Sequence, residues 1–425
     1  MTTLIPKYDL GATGAVNRPF NQKLQSIVSV KDFGAVGDGV TDDTAAVQAA
    51  INYCLSTTTP LANSQQSLVP ILTIDGMCLI TSSLIIDRPV NQTNFFRIIG
   101  GGVVGGFLTT TAIKIFSSTY AGNVTGVSTT ASNQISFENL TFSGKYTAPA
   151  FAFDLYKFQR VQIIGCYFQQ IGCADSISVA NSYFQSIYIS NCFARSVPTK
   201  FLSAYSFLDI RVTGCLFEQV LDTVIYASAS IAQGVFSNNL VEGCGNNYVN
   251  TPLVYGVEIS GNYAEGNLGF FAVLANTYGC VVSGNCIFSS HLDDSTLYEI
   301  QVNNSIGFTG FGNYSNGNLY KFATASTQTT IGQGDTAVVN LTDNPTQCSQ
   351  KIYGNVQVFQ GNLATYQSNF LFNGTDVGSG IGVMAIANAT TTPTTTPTGG
   401  GILYAQGGAL KYKGSSGTIT TIAVA

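Results

Sequence analysis

Eight segments of this chain align with one another without gaps. They are ISFENLTFS from Ile135, VQIIGCYFQ from Val161, IYISNCFAR from Ile187, IRVTGCLFE from Ile210, GVFSNNLVE from Gly234, VEISGNYAE from Val257, CVVSGNCIF from Cys280 and IGFTGFGNY from Ile306. Their starts lie 23 to 26 residues apart. A period of this length marks a solenoid, in which each repeat buries its apolar face only against its neighbours. The third position is always apolar: Phe137, Ile163, Ile189, Val212, Phe236, Ile259, Val282, Phe308. The fifth is always Asn or Gly: Asn139, Gly165, Asn191, Gly214, Asn238, Gly261, Gly284, Gly310. Apolar positions 1 and 3 make a short strand with one face inward. The Asn/Gly column marks a bend at positive φ, which those residues tolerate best. Position 8 is apolar again in seven of the eight segments and opens a second strand in a new direction. Two or three short strands in about 24 residues predict one coil of an all-β, right-handed parallel β-helix. The Leu-x-x-Leu-x-Leu pattern of leucine-rich repeats is absent.

Coils stacked at about 4.8 Å place equivalent side chains in ladders, where long charged groups are seldom needed. That accounts for an odd composition. Of 425 residues only 9% are charged, 17 Lys+Arg against 22 Asp+Glu, and 45 are Gly, where about 25% charge is usual. So few basic residues predict no nucleic-acid partner. No apolar run approaches the roughly 18 residues needed to cross a bilayer, so no membrane partner is expected. The first residues show no basic stretch followed by an apolar one, so no secretory signal is expected. Aromatic content of 11% argues against disorder. Ten cysteines show no CxxC pair and the chain has one His, so neither zinc nor any other cofactor is predicted. Cys166, Cys192 and Cys215 share position 6 and read as reduced core thiols, with Asn stacking inside the same column.

A solenoid needs its ends closed. TDDTAAVQAAINYCL predicts a capping helix near residues 42–56, with Thr41 or Asp42 at its N-terminus and Val47, Ile51 and Cys54/Leu55 on one face. It would close a first coil built from ILTIDGMCLITSSLII. The predicted organisation is a leader at 1–27, the β-helix at 28–325 and a β-rich region at 326–387. A Thr/Pro/Gly linker at 388–401 and a β tail at 402–425 follow.

VSVKDFGAVGDGVTDDTAAVQAAI, from Val28 to Ile51, resembles the N-terminal motif of the pectate-lyase-like β-helix superfamily. Its usual form is Lys-Asp-Phe-Gly-Ala, Gly-Asp-Gly and Thr-Asp-Asp leading into a capping helix. The preceding YDLGATGAVNRPFNQKLQ resembles the short leader of bacteriophage tail spikes and tail-fibre proteins with this fold. The resemblance implies a homotrimer in the virion, made in the host cytoplasm and joined to the phage tail or baseplate through the leader. Such proteins bind, and often cleave, a bacterial surface polysaccharide, either capsule or O-antigen. Plant-type polygalacturonases of the superfamily carry Asn-Thr-Asp, Asp-Asp, Gly-His-Gly and Arg-Ile-Lys. Here only Asp293-Asp294 appears, near His291 in HLDDS, and it reads as a solvated loop. No motif matches the calcium-dependent pectate lyases.

Position 9 carries the candidate chemistry. Down the coils it runs Ser143, Gln169, Arg195, Glu218, Glu242, Glu265, Phe288, Tyr314. It follows the inward position 8, so alternation points it outward. Glycosidases use two carboxyl groups about 5–5.5 Å apart for retention or roughly 6.5–9.5 Å for inversion. Adjacent coils offer about 5 Å and alternate coils nearly 10 Å. Stacked carboxylates repel, which favours a proton on one of them. Glu242, flanked on both sides, is the candidate acid, with Glu218 or Glu265 as base or nucleophile. Arg195, Arg211, Glu258 and Tyr263 are candidate sugar-binding residues. Tyr167, Tyr188, Tyr226 and Tyr314 are further stacking surfaces. Asp175, Asp209 and Asp222 are competing acids, and a like-charged ladder also fits a solvated face or a subunit interface. The leading reading is a tail-spike depolymerase, a glycoside hydrolase that cleaves the polysaccharide through paired carboxylates; the alternatives are a non-catalytic receptor-binding fibre and a polysaccharide lyase using Arg195 or Arg211 to neutralise a uronate.

Overall fold

The computed structural model describes residues 27–56, 70–88, 95–123, 132–145, 149–288, 298–316, 319–323, 388–389 and 391–424. It also describes the short strands Lys7–Tyr8, Arg18–Pro19, Thr59–Pro60, Ser67–Leu68, Thr329–Ile331, Val338–Asn340, Gln350–Ile352 and Gln357–Val358. The chain divides into two units, residues 1–362 and 363–425.

The first unit is a parallel β-solenoid of three strands per coil. In the first strand Phe137, Ile163, Ile189, Val212, Phe236, Ile259 and Val282 stand in successive register. In the second the column runs Phe142, Phe168, Ala194, Phe217, Val241, Ala264, Ile287. In the third it runs Phe153, Ala174, Leu202, Ile225, Val249, Ala272, Ile300, Tyr320. All three columns are buried and meet in one core along the axis.

The bend at position 5 is left-handed in the first seven repeats, from φ +52° at Asn191 to +63° at Gly214. Its alternation of Asn and Gly has a steric cause. A Cβ on Gly165, Gly214 or Gly261 would stand 2.6, 2.8 or 2.6 Å from the side-chain oxygen of Asn139, Asn191 or Asn238 on the preceding coil. Each Asn leans over the next rung and leaves room there for Gly.

Position 6 turns polar inside the core. The backbone N–H of Cys215 donates to Asn239 Oδ1 at 2.9 Å, Asn239 to Asn262 at 2.9 Å, Asn262 to Asn285 at 2.9 Å and Asn285 to Asn313 at 3.1 Å. The side-chain amides donate to core-facing carbonyls, Asn262 to Phe236 and Asn285 to Ile259, both at 3.0 Å. The buried amides are therefore satisfied by one another and by the strand one coil back. Cys166, Cys192 and Cys215 continue the column as buried thiols, and none of the nine described cysteines is bonded to another. Burial pushes the thiols of Cys54, Cys78, Cys244 and Cys280 up to about 12, which keeps them inert.

Four expectations need correction. The last repeat is displaced by two residues. Val282 pairs with Gly310 rather than Phe308, Cys286 with Tyr314, and the bend falls at Gly312, φ +64°. Phe308 stays buried and packs against the Tyr320 ring, 6.0 Å between centroids. The first rung is laid by the N-terminal motif itself, not by ILTIDGM: Ile27–Ser29 pairs with Ile71–Thr73, and Asp38 and Asp42 with Met77 and Leu79. Parallel pairing also continues past residue 325. Gln350–Ile352 stacks on Thr329–Ile331, and Gln357–Val358 on Val338–Val339. In the second unit the Thr/Pro segment is tied to the tail, whose strands Gly401–Gln406, Ala409–Gly414 and Ile419–Ala423 form an antiparallel sheet. The buried Lys413 ammonium donates to the carbonyls of Pro393 at 2.8 Å and Thr394 at 3.0 Å.

Helix α1 (Thr44–Ser56) forms where expected and buries Val47, Ala50, Ile51 and Cys54 against the first coils. Asp42 caps it, accepting from the Thr44 N–H at 3.0 Å, while Thr41 bonds back to Asp38. Asp43 folds under the preceding turn and accepts from Val36 N–H at 2.7 Å and Gly37 N–H at 2.9 Å. The acids of the motif thus shape its loops.

The asparagine column yields a direct test. Asn262→Leu keeps the branched shape, in a somewhat larger side chain, but orphans the Asn239 N–H and the Phe236 carbonyl, at about 1–3 kcal/mol each. Urea unfolding should show a loss of about 2–4 kcal/mol; a loss under about 0.5 kcal/mol, the range of an ordinary surface change, would contradict a structural role.

Candidate functional site

Each second strand is three residues long, and its middle residue points into the core. Positions 7 and 9 therefore share the outer face. Register places Arg195, Glu218, Glu242, Glu265 and Phe288 on consecutive rungs, as expected, so the three glutamates stack. Tyr314 does not extend this column. It stands at position 7, above Cys286, because of the shift in the last coil.

The three carboxylates have different surroundings. Arg195 Nε lies 3.4 Å from Glu218 Oε2. The Tyr263 hydroxyl donates to Glu265 Oε2 at 2.6 Å. Glu242, between them, has no hydrogen-bond or ion-pair partner for its carboxylate among the described residues. The Glu265 carboxylate beside the phenol pushes Tyr263 up to about 12, because ionisation would break the hydrogen bond and set two anions side by side.

The backbone behind the acids is fixed by a second left-handed column at Gln170, Ser196, Gln219, Gly243 and Gly266. From it Ser196, Gln219 and Gly243 donate to the carbonyls of Glu218, Glu242 and Glu265, each at 3.0 Å. Sequence patterning missed this column because Gln and Ser fill part of it. Aromatic rings flank the acids. Tyr167 and Phe193 stack at 5.0 Å on one side, and Phe288 lies 5.6 Å from Tyr263 and 5.8 Å from Tyr314 on the other.

Arg211 and Glu258 share position 2 of the first strand but have separate partners, with Val235 between them. Arg211 lies over the Tyr188 ring at 5.4 Å and 4.0 Å from Asp209, whose other oxygen accepts from the Tyr188 hydroxyl at 3.1 Å. Glu258 accepts from the Ser260 hydroxyl at 2.6 Å. Asp222 is paired with Lys200, bonded by Asn246 at 3.0 Å, and held below the usual carboxylate range against the opposing pull of burial. The same Lys200 covers the Tyr226 ring at 5.1 Å. Asp175 accepts from the Ile177 N–H at 3.3 Å. His291, Asp293 and Asp294 lie outside the described residues.

A separate cleft of about 860 Å³ runs beside helix α1, lined by Gln48, Asn52, Thr81, Asp42 and Asp87 among others. Its two acids are committed, Asp42 to Thr44 and Thr81, Asp87 to Ser118 and Thr119. Among the described residues no group of three or more His, Cys, Asp or Glu side chains is placed to hold a metal ion. No helix among them is long and apolar enough to cross a membrane.

Residues 27–67 match the family described as rhamnogalacturonase A/epimerase, pectate lyase-like. The fold is similar to that of the Acinetobacter baumannii phage AM24 tailspike protein. TM-score is 0.56 at 15% identity, over 76% of this chain and 56% of that one. It is also similar to the Streptococcus pneumoniae surface protein and adhesin PfbA, with TM-score 0.50 at 14% identity over 78% of this chain and 97% of that one. The Dettilon tailspike matches with TM-score 0.49 at 12% identity, over 80% of this chain and 70% of that one. This chain thus spans little more than half the length of the AM24 tailspike. No curated protein matches it in sequence. The resemblance to pectate-lyase-like β-helix proteins, phage tailspikes among them, holds at the level of fold.

The Tyr263–Glu265 pair predicts a titration. Glu265→Gln removes the neighbouring anion, so the Tyr263 phenol should fall from about 12 toward the ordinary value near ~10. Ultraviolet difference titration against Tyr263→Phe in each background isolates that phenol; identical curves with and without Glu265 would contradict the contact.

Proposed function

We propose that this chain is a tailspike-type protein of a phage virion that binds a bacterial surface polysaccharide along its coils and hydrolyses it at the glutamate ladder. The observation that carries this reading is the central carboxylate. Glu218 is matched by Arg195 and Glu265 by Tyr263, while Glu242 stands unpartnered between two acids. With neither carboxylate oxygen engaged by a described residue, Glu242 is the one acid of the three free to meet a glycosidic oxygen.

In the proposed reaction Glu242 donates a proton to the glycosidic oxygen as the bond to the anomeric carbon breaks. Glu218, paired with Arg195, stabilises the oxocarbenium-like transition state and attacks the anomeric carbon; water, giving its proton to the Glu242 carboxylate, then displaces Glu218 from that carbon and frees the sugar. Rungs about 4.8 Å apart suit the closer carboxyl spacing of retaining enzymes. Glu265, tethered by Tyr263, and the flanking rings would hold sugars on either side, and Arg211 and Glu258 would extend the binding face. The chemistry draws on side chains alone. The leader at 1–27 would join the phage tail, and the working form would be a homotrimer.

Incubation with capsule or O-antigen from a host strain tests the reading. New reducing ends without an unsaturated uronate are expected, and Glu242→Gln should lower turnover by about 10²–10⁴-fold with binding retained. Unsaturated products would point to a lyase and binding without cleavage to an adhesin; either result, or unchanged turnover in Glu242→Gln, would overturn the hydrolase assignment.

A further inference from the structure

Tyr255 and Tyr278 stand on neighbouring rungs at the corner that leads into the first strand, and their rings stack at 5.1 Å and 14°. Both stay exposed, at 45% and 38%. On the preceding rungs the same column continues as Ala232 and then Leu208. Ile231 is buried, so alternation turns Ala232 outward. The Tyr255 ring therefore has Tyr278 on one face and, on the other, a rung whose side chain is a single methyl. No ring or cation among the described residues covers that second face.

The rung stays low as it enters the first strand. Its position 2 is Val235, set between Arg211 on the preceding coil and Glu258 on the next. Together these residues shape a furrow across the strand. Ala232 and Val235 form the floor, Tyr255 and Glu258 one wall, Leu208 and Arg211 the other. Two rungs of about 4.8 Å separate Leu208 from Tyr255, so the space over Ala232 admits one flat ring at the roughly 4.5–5 Å contact of a stacked pair. The floor is uncharged, and the charges on the walls are engaged, Arg211 by Asp209 and the Tyr188 ring, Glu258 by Ser260. Beyond the bend at Asn238 the same coil forms Leu240–Glu242, so the furrow and the central glutamate belong to one coil.

We infer that this furrow is a subsite for one uncharged pyranose unit of the polysaccharide, its apolar face stacked on the Tyr255 ring. The negative face of the phenol ring suits the C–H groups on one side of a pyranose. Gln233, exposed beside Ala232, presents an amide to the sugar hydroxyls. The strip is about one 4.8 Å rung high and a few residues long, far below the roughly 800 Å² that a second subunit needs. The inference rests on the polysaccharide-binding part of the proposed function and is independent of hydrolysis.

Binding of capsule or O-antigen polysaccharide from a host strain to the full chain, followed by calorimetry, tests it. Tyr255→Ala should weaken binding by about fivefold to tenfold, and Tyr255→Phe, which keeps the ring, should restore most of it. Ala232→Phe extends the Tyr255–Tyr278 stack and fills the furrow, so it should weaken binding by a similar factor with Tm unchanged. The chain contains no Trp, so Tyr255→Trp supplies a sole indole whose emission should change saturably as the polysaccharide binds. Undiminished binding in either Tyr255→Ala or Ala232→Phe, or an indole blind to bound polysaccharide, would overturn the subsite and leave the polysaccharide reading intact. A changed oligomeric state of Tyr255→Ala in sedimentation would assign the furrow to a second copy and overturn it likewise. A wild type that binds none of these polysaccharides would overturn both.

Discussion

Hydrogen bonds between parallel coils set like residue above like residue through the described coils, and most of their features answer to that stacking. Apolar columns stack without conflict. A polar column inside the core must satisfy itself, which the amides from Asn239 to Asn313 do by bonding along the axis. A charged column outside must alternate in sign or stay short. Arg97 with Glu138, Lys114 with Asp154, Lys200 with Asp222 and Arg195 with Glu218 each join neighbouring rungs. Glu242 and Glu265 follow Glu218 without a further cation among the described residues. That departure from pairing is the feature on which the proposed function rests.

The columns of the repeat were legible because each demands a narrow set of residue types: apolar at positions 3 and 8, left-handed formers at position 5. Legibility failed where the demand is loose. Both Gly310 and Gly312 fit the bend of the last coil, and Phe308 is buried in either register, so pattern alone could not locate the two-residue shift. The column at Gln170, Ser196 and Gln219 escaped notice because neighbouring hydrogen bonds, not intrinsic preference, hold those residues at positive φ. The Thr/Pro segment carries linker composition, yet Lys413 lies a hairpin away in sequence and fastens it to the tail.

At the site, vertical order was readable and partnership was not. Three glutamates in one column follow from spacing alone. That Arg195 serves Glu218, Tyr263 serves Glu265 and none of the described residues serves Glu242 depends on side-chain reach. The same holds for the competing acids. Asp222 has the composition of a candidate, but the Lys200 pairing and the Asn246 amide occupy it. The carboxylates of the cleft beside helix α1 are likewise consumed by hydroxyls.

The asparagine column has a further consequence for how such a chain can change over generations. Asn239, Asn262 and Asn285 sit 23 residues apart, and each presents the rung beyond it with the same donor and acceptor that it receives. A rung of this kind is interchangeable with its neighbour. Duplicating or deleting one 23-residue stretch would leave every amide paired and move the outer face by about 4.8 Å. A surface that recognises a repeating polymer could thus be lengthened or shortened in whole steps, with its chemistry revised one rung at a time.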